Sequence, residues 1–314
     1  MSRILADTAS PLVPVDPESQ PRGKTATRSA VPLAIVLPAF NEASTIGELI
    51  ARVRAVMPHT PIVVVDDGST DDTADQAAAA GARVLRHPYN KGNGAAVKSA
   101  IRQIASEKLV ILDADGQHPA EMIPVLVDAL SDYDLAVGAR VSSSALPRHR
   151  TIANWLFCTL ASFLSDRSIP DLTSGFRGFD RAKAMEFLHL YPNGFSFPTT
   201  STLSFISAGY SVTFLPFVAA ARPKHTRSHI KPLQDGLRFV LMIIRITTMI
   251  NPLRVFVPAA MVTLLAGVIL NIRTLIMATA LSQAGAFLIA AGMNILFFGI
   301  VADQLAAIRL KSRD

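Results

Sequence analysis

The chain has little charge and almost no cysteine. Only 17% of its 314 residues are charged, whereas soluble domains usually carry about 25%. The single cysteine, Cys158, excludes a disulfide framework and a cysteine-built zinc site. The excess of 30 Lys and Arg over 24 Asp and Glu comes without an aromatic-interleaved basic patch, so we expect no nucleic-acid partner. A basic, apolar chain instead indicates an anionic membrane surface or phosphate-bearing ligands.

Residues 1–30 lack an unbroken apolar segment, because Pro11, Pro14 and Asp16 interrupt it. This pattern predicts a disordered N-terminal tail rather than a signal peptide. Disorder throughout the chain is excluded, since half of all residues are hydrophobic.

From residue 31 onward, short apolar runs alternate with helical stretches. The runs occupy 33–37, 61–65, 83–87, 108–113 and 134–140. Such βα alternation predicts an α/β fold with a parallel, three-layer sheet. The runs are nearly all apolar, as expected when helices cover both faces of the sheet.

Polar clusters follow these predicted strands. "AFNE" follows the first strand, "DDGST" the second, "DADGQH" the fourth and "GAR" the fifth. In an open α/β sheet the carboxyl ends of the strands form one rim, and ligands bind there. We therefore predict a single ligand site built from these four clusters.

The cluster after the fourth strand contains Asp113 and Asp115, two carboxylates at positions i and i+2. Such a pair can share Mg²⁺ or Mn²⁺ with substrate phosphate oxygens, and Gln117 can add a neutral oxygen ligand. The alternative is that these acids cap the helix that follows Pro119.

The cluster after the second strand contains Asp66, Asp67 and Gly68. A carboxylate here can accept hydrogen bonds from a nucleotide base or a ribose, and Gly68 allows close backbone approach. Helix capping is the alternative, and both roles can hold at once.

The segment Lys91-Gly92-Asn93-Gly94 precedes a predicted helix. Glycines beside a basic residue can cradle a diphosphate on backbone N–H groups. The segment is neither a Walker motif nor a full dinucleotide fingerprint, and a plain turn is the alternative.

These motifs together resemble the family 2 glycosyltransferases. The resemblance rests on "VLPAFNE", "VVDDGSTDDT", "NKGNGAAVKSA", "DADGQHP", "VGAR" and "DLTSGFRGF" and covers about residues 31–232. It is strongest to the polyprenyl-phosphate hexosyltransferases, the branch that contains dolichol-phosphate mannose synthase. It implies a GT-A (Rossmann-like) fold with a mostly parallel sheet and helices on both faces, a UDP- or GDP-activated nucleotide sugar, and Mg²⁺ or Mn²⁺ as cofactor.

The resemblance also implies residue roles. The nucleotide sugar would be bound by Pro38, Phe40, Asn41, Glu42, Asp66, Asp67, Gly68, Lys91, Gly92, Asp113, Ala114, Asp115 and Arg222. The metal would be held by Asp113, Asp115 and Gln117, and the acceptor phosphate by Arg140, Arg148 and Asn154. Asp113, Asp115 and Arg140 would be the catalytic residues. The sugar site would be shaped by Ser174, Gly175, Phe176 and Arg177, and a closing loop would contain Arg222, Ser228 and His229.

Two long apolar segments follow residue 250. Residues 255–276 and 281–302 each approach the roughly 20 residues that cross a bilayer core. A buried soluble hairpin is the alternative. Five basic residues flank the pair, and only Arg273 lies near the connecting turn; the five are Arg245, Arg254, Arg309, Lys311 and Arg313. This bias predicts a multi-pass membrane protein whose catalytic domain and both termini are cytosolic.

Residues 151–164 and 232–252 are also apolar, but Arg and Lys flank them. We expect interfacial helices there, with core helices of the α/β domain as the alternative. The predicted organisation is a catalytic domain at 31–231, the second interfacial helix, two membrane spans within 253–306 and a basic tail at 307–314. We interpret Cys158 as a small buried hydrophobe.

Together these observations predict a membrane-anchored, inverting glycosyltransferase. It would move a hexose from a nucleotide sugar to a polyprenyl phosphate, such as undecaprenyl phosphate, at the lipid bilayer. The alternatives are transfer to another lipid or glycan acceptor, and a non-catalytic membrane scaffold that retains the fold. The resemblance makes a homo-oligomer plausible.

Overall fold

The computed structural model describes residues 32–141, 148–194, 196–219, 240–241, 243–245, 247–248, 251–278 and 280–311. At 148–156, 278 and 309–311 it describes the backbone alone. The predicted tail at 1–30 and most of the predicted interfacial helix at 232–252 therefore lie outside the described residues.

A seven-stranded sheet forms the centre of the catalytic domain. Its strands are β1 (Leu33–Ala39), β2 (Ile62–Asp66), β3 (Arg83–Arg86), β4 (Lys108–Ile111), β5 (Leu135–Arg140), β6 (Arg177–Asp180) and β7 (Val212–Phe217). The strand order is β3-β2-β1-β4-β6-β5-β7, and only β6 runs antiparallel to its neighbours. The predicted mostly parallel sheet is therefore confirmed.

Nine helices are described outside the segment at 240–248. They are α1 (Ile46–Val56), α2 (Thr73–Ala79), α3 (Asn93–Gln103), α4 (Ile123–Ala129), α5 (Arg148–Ser165), α6 (Arg181–Glu186), α7 (Phe197–Ser207), α8 (Leu253–Ala278) and α9 (Gln283–Lys311). A 3₁₀ turn at Ala120–Met122 precedes α4.

Side-chain alternation along the strands divides the core into two layers. In β1, Ile35 and Leu37 belong to one buried cluster, whereas Val36 belongs to another. Successive residues of a strand point to opposite faces, so each face of the sheet has its own core. The predicted three-layer arrangement is confirmed, with the strand ends left free to carry polar side chains.

Helix α5 buries one side and exposes the other. Cys158, Ala161 and Leu164 pack in a buried cluster with Leu203 of α7, whereas Phe163 is 62% exposed. The helix is thus part of the domain core on one side only. Cys158 is buried as interpreted from the sequence, and burial raises the pKa of its thiol.

Helices α8 and α9 form a hairpin with apolar side chains turned outward. The segments Leu253–Met277 and Gln283–Ile308 are long and apolar enough to cross a membrane. The second extends beyond the predicted end at residue 302. Asn271 ties the hairpin at its turn, because its Oδ1 accepts a hydrogen bond from the Ser282 N–H at 2.9 Å.

Candidate active site

The ends of β1 and β2 are joined through Asn41. Its backbone N–H donates to Ser69 Oγ at 2.9 Å, and its Oδ1 accepts from the Thr70 N–H at 2.9 Å. Asn41 has a positive φ of 56°, a conformation that asparagine tolerates better than most residues. Its side chain therefore shapes this part of the rim by linking two loops, while the neighbouring Phe40 is 42% exposed.

The two other residues predicted from this first motif have different surroundings. Pro38 is buried within β1. Glu42 donates its backbone N–H to Thr73 Oγ1 at 2.8 Å and accepts from the Thr45 hydroxyl at 2.9 Å. Both residues therefore fix the path of the chain behind Phe40.

Asp67 is buried and its carboxylate is fully engaged inside the protein. Oδ1 lies 2.6 Å from His87 Nδ1 and accepts from the Lys91 N–H at 3.0 Å. Oδ2 accepts from the Gly92 N–H at 2.7 Å. These contacts tie the end of β2 to the segment between β3 and α3.

Asp66 is completely buried beside it. Its Oδ1 accepts from the Ser69 N–H at 3.0 Å, and Arg86 Nε lies 3.2 Å from Oδ2. Gly68 turns the chain with a φ of +74°, and a Cβ there would lie 2.4 Å from the Tyr89 carbonyl carbon. Asp66 thus anchors the loop between β2 and α2.

The predicted backbone cradle at Lys91–Gly94 is wrong for most of its N–H groups. Those of Lys91 and Gly92 donate to Asp67. The Gly94 N–H donates to the Gly194 carbonyl at 3.2 Å, and the Ala95 N–H is likewise used within the protein. Tertiary contacts have taken these donors, whereas the Lys91 side chain is exposed and accessible to an anion.

Asp113 and Asp115 lie at the end of β4, as predicted. Asp113 is one-third exposed, and its two oxygens receive only long contacts, from Asn93 Nδ2 at 3.4 Å and His118 Nε2 at 3.3 Å. Asp115 Oδ1 accepts from the Gln117 N–H at 3.1 Å. Among the described residues no group of three His, Cys, Asp or Glu side chains gathers into a metal site.

This donor set fits a hard divalent cation. Mg²⁺ is usually bound through one or two carboxylates while substrate phosphates and water complete its shell. Gly175 packs directly on Asp113, and a Cβ at this position would lie 2.2 Å from Asp113 Oδ2. Only glycine therefore leaves the Asp113 carboxylate in its place.

His118 contacts the Asp113 carboxylate and was not assigned a role from the sequence. It is 5% exposed, and its ring stacks on Phe176 at 5.3 Å and meets Phe217 edge-on at 5.6 Å. Burial alone would raise the pKa of Asp113. The hydrogen bond and charge of His118, with contributions from Asn93 and Arg140, hold that pKa below its ordinary value. Only its place in "DADGQH" could have drawn attention to it.

Arg140 at the end of β5 is held by Asp171 in a two-pronged ion pair. Nε donates to Asp171 Oδ2 at 2.8 Å, and Nη2 donates to Oδ1 at 3.1 Å and to Thr173 Oγ1 at 2.6 Å. Burial lowers the pKa of Arg140, but Asp171, Asp113 and Asp115 outweigh it and raise the pKa above its ordinary value. The negative charges of Asp113 and Asp115 therefore act on the Arg140 guanidinium.

Asp171 is itself 2% exposed. Burial would raise the pKa of its carboxyl, but the hydrogen bond and charge of Arg140 bring the pKa below its ordinary value. Sequence reasoning missed Asp171 and Thr173 as partners of Arg140, because 31 residues separate Asp171 from the arginine. The resemblance motif "DLTSGFRGF" does contain both.

The segment predicted to shape the sugar site is mostly buried. The side chains of Ser174, Phe176 and Arg177 have no exposed surface, so only Gly175 reaches the rim. Arg177 instead donates to the Pro198 carbonyl, the Ser174 carbonyl and two hydroxyls of α7. Burial lowers the pKa of Arg177 to about 10. These buried side chains lie beneath the rim, so any part they have in shaping a sugar site is through the backbone that they support.

The remaining predicted residues cannot be placed. Arg222, Ser228 and His229 lie outside the described residues. Arg148 and Asn154 lie in the first part of α5, at 148–156, where only the backbone is described.

Comparisons with known proteins identify the family of the chain that carries this rim. The profile described as Glycosyl transferase family 2 matches residues 34–188, and the profile described as GtrB C-terminal hairpin matches residues 251–308. A dolichyl-phosphate hexose transferase of Haloferax volcanii is 34% identical over 160 residues, which cover 50% of this chain and 68% of the relative. The glycosyltransferase AglJ of the same organism is 27% identical over 88% of this chain and 94% of its own length.

Among solved structures, a glucosyl-3-phosphoglycerate synthase from Mycobacterium tuberculosis, crystallised with Mn²⁺, uridine diphosphate and phosphoglyceric acid, has a TM-score of 0.55. It is 21% identical and covers 69% of this chain and 79% of its own. At that identity the likeness shows the GT-A fold. The sheet is that of the GT-A fold, and the sequence relatives are more specific. The chain belongs to glycosyltransferase family 2 and is a glycosyltransferase.

Proposed function

We propose that this chain transfers a hexose from a UDP- or GDP-activated sugar to a polyprenyl phosphate. The observation that carries the proposal is that Asp113 and Asp115 follow β4 and Arg140 ends β5, two strands that run in the same direction and end at the same edge of the sheet. An acid pair suits the metal-bound leaving diphosphate, and a fixed arginine suits a second phosphate. The 34% identical relative named for dolichyl-phosphate hexose transfer supports the choice of acceptor.

On the donor side, Asp113 and Asp115, with Gln117, would hold Mg²⁺ or Mn²⁺. When bound, the cation neutralises charge that develops on the leaving nucleoside diphosphate. The exposed Phe40 ring and the Lys91 ammonium are the groups free to meet the base and the phosphates. Asn41, Asp66 and Asp67 hold the loops that carry them.

On the acceptor side, Arg140 would bind and align the lipid phosphate. A phosphomonoester has its second pKa near ~6, so it is largely dianionic at neutral pH and needs no strong general base. The difficulty is to bring two anions together, and a positioned cation offsets their repulsion. Since Nε and Nη2 are held by Asp171 and Thr173, the guanidinium keeps one orientation. A single in-line attack would invert the anomeric centre.

The hairpin would anchor the enzyme in the membrane where the acceptor lies. Arg254 at the start of α8 is paired with Asp166 Oδ2 at 3.0 Å, at the end of α5, so the hairpin is joined directly to the catalytic domain. The basic flanks favour a cytosolic position for the catalytic domain. A reporter fused after residue 314 that is active only outside the cytosol would contradict this orientation.

Transfer is tested with purified protein, undecaprenyl phosphate and labelled UDP- and GDP-hexoses, each with Mg²⁺ or Mn²⁺. We expect one donor to label the extracted lipid, and a chelator to abolish that labelling. Labelling of another lipid or of a glycan, with none on the polyprenyl phosphate, would favour the alternative acceptor classes. Transfer at the same rate with and without the chelator would show that the reaction needs no metal.

A further inference from the structure

A chain of three polar side chains lies behind the donor side of the rim. Asp67 Oδ1 is 2.6 Å from His87 Nδ1, and His87 Nε2 is 2.8 Å from Ser99 Oγ. Asp67 and His87 are 3% and 8% exposed. The chain connects the end of β2, the end of β3 and the middle of α3.

The hydrogen-bond roles in this chain follow from its chemistry. An ionised carboxylate only accepts hydrogen bonds, so His87 Nδ1 carries the proton and donates to Asp67. With Nδ1 protonated in the neutral ring, Nε2 accepts from the Ser99 hydroxyl. His87 thereby fixes the side chain of Asp67 from behind.

The other contacts of Asp67 point toward the ligand side of the rim. The carboxylate accepts the backbone N–H groups of Lys91 and Gly92. Gly92 has a φ of +101°, and a Cβ there would lie 2.4 Å from the Asn193 carbonyl oxygen, so the loop fits tightly. The exposed Lys91 ammonium stands 5.4 Å from the Tyr89 ring centroid at the tip of this loop.

We propose that His87 is a positioning residue for donor binding. It orients Asp67, Asp67 holds the Lys91–Gly92 backbone, and the loop presents the Lys91 ammonium to the anionic diphosphate of the sugar donor. The identity of the ligand in this inference rests on the proposed function. The geometry of the loop does not depend on it. A loop held in place before binding loses less conformational entropy when the ligand arrives.

Two variants of similar size separate this role from simple packing. In His87→Asn the amide nitrogen takes the place of Nδ1, so the hydrogen bond to Asp67 is kept and the one to Ser99 is lost. In His87→Gln the terminal amide takes the place of Nε2, so the contact with Ser99 is kept and the one to Asp67 is lost. Ser99→Ala is the matched control on the far side of the chain.

Binding is measured by calorimetry with Mn²⁺ and UDP or GDP, whichever nucleotide binds the wild-type protein. We expect His87→Gln to weaken the nucleotide about tenfold, as befits one buried hydrogen bond. His87→Asn and Ser99→Ala should stay within about threefold. The KM for polyprenyl phosphate should change little in all three. Equal weakening by His87→Asn and His87→Gln, or weakening by neither, would overturn the proposal.

Hydrogen exchange of the ligand-free wild-type protein tests the geometry of the loop directly. It measures no activity and does not require that a variant fold. We expect the amides of Lys91 and Gly92 to be protected, and His87→Gln, where it folds, to expose them. Rapid exchange of both amides in the wild-type protein would overturn the proposal. Protected amides in a protein that binds neither UDP nor GDP would count against the proposed function while leaving the loop geometry intact.

Discussion

The two sides of the rim use buried carboxylates in different ways. On the donor side, buried Asp66 and Asp67 accept backbone N–H groups and so fix loops. On the acceptor side, a carboxylate fixes a cation directly, since buried Asp171 holds the guanidinium of Arg140. Asp113 lies between them, one-third exposed and only loosely contacted.

This difference shows how the same residue type can serve two purposes. A carboxylate that is saturated by backbone amides stabilises a loop conformation, and the charge that meets the ligand then comes from an exposed lysine. A carboxylate that binds an arginine leaves part of the guanidinium for a ligand but fixes its direction. Asp113 is one-third exposed and contacts Asn93 and His118 at 3.4 and 3.3 Å, which leaves its carboxylate accessible to a cation.

The largest loss of sugar transfer is expected at the acid pair after β4, which lies between the two sides of the rim. Asp115→Ala should reduce sugar transfer by about a thousandfold or more, because a metal contact contributes several kcal/mol to the transition state. Asp132→Ala, at an exposed acid, is the control for loss of one negative charge. Transfer by Asp115→Ala at a near wild-type rate, still dependent on metal, would show that this acid has another role.

A smaller loss is expected from Gly175→Ala. The new methyl group would meet Asp113 Oδ2 at 2.2 Å, so the carboxylate must move, and turnover should fall about a hundredfold. Gly47→Ala is the control, because nothing lies within 4 Å of a Cβ there. Full turnover by Gly175→Ala would mean that the position of Asp113 is not critical.

The acceptor side is tested by Arg140→Ala and Arg140→Lys. Arg140→Ala should raise the KM for polyprenyl phosphate or lower turnover by about ten- to a hundredfold, since a charge-assisted contact is lost. Lysine should recover only part, because it cannot reproduce the two-pronged geometry. Nucleotide affinity from calorimetry should hardly change. Weaker nucleotide binding with normal acceptor kinetics would assign Arg140 to the donor instead.

Sequence patterns predicted the first five strands well and the last two not at all. Strands β1, β2, β4 and β5 are apolar runs, which is the signal that identifies a buried strand. Strand β6 has only four residues, begins with the fully buried Arg177 and ends with Asp180. A buried arginine has no apolar signature, so only tertiary contacts with α7 explain it.

The site shows the same limit. Its acids were placed on one rim correctly, because parallel strands end on the same side of the sheet. The sequence could not show that Asp67 is already saturated, since its partners come from 20 to 25 residues further along the chain. His87 and Asp171 were missed for the same reason, whereas His118 is only five positions from Asp113 and has no signal apart from its place in "DADGQH". Partners distant in sequence determine which acids remain free for a ligand.

The smallest expected effect concerns the pH dependence of stability on the acceptor side. Arg140 lowers the pKa of Asp171 in the folded protein. The ion pair therefore stabilises the fold above the ordinary pKa of an aspartic acid, near ~3.9, and this stabilisation is lost as the pH falls through the lowered value. Asp171→Asn removes the charge and should destabilise the protein by about 1–3 kcal/mol at pH 7.

Thermal unfolding in detergent between pH 7 and pH 3 measures this contribution. The difference in Tm between the wild-type protein and Asp171→Asn should narrow as the pH is lowered, because only the wild-type protein has this stabilisation to lose. Asp132→Asn, at an exposed acid, should show no such narrowing. A difference in Tm that stays constant down to pH 3 would mean that Asp171 stabilises the fold through its shape and hydrogen bonds, with its negative charge contributing nothing.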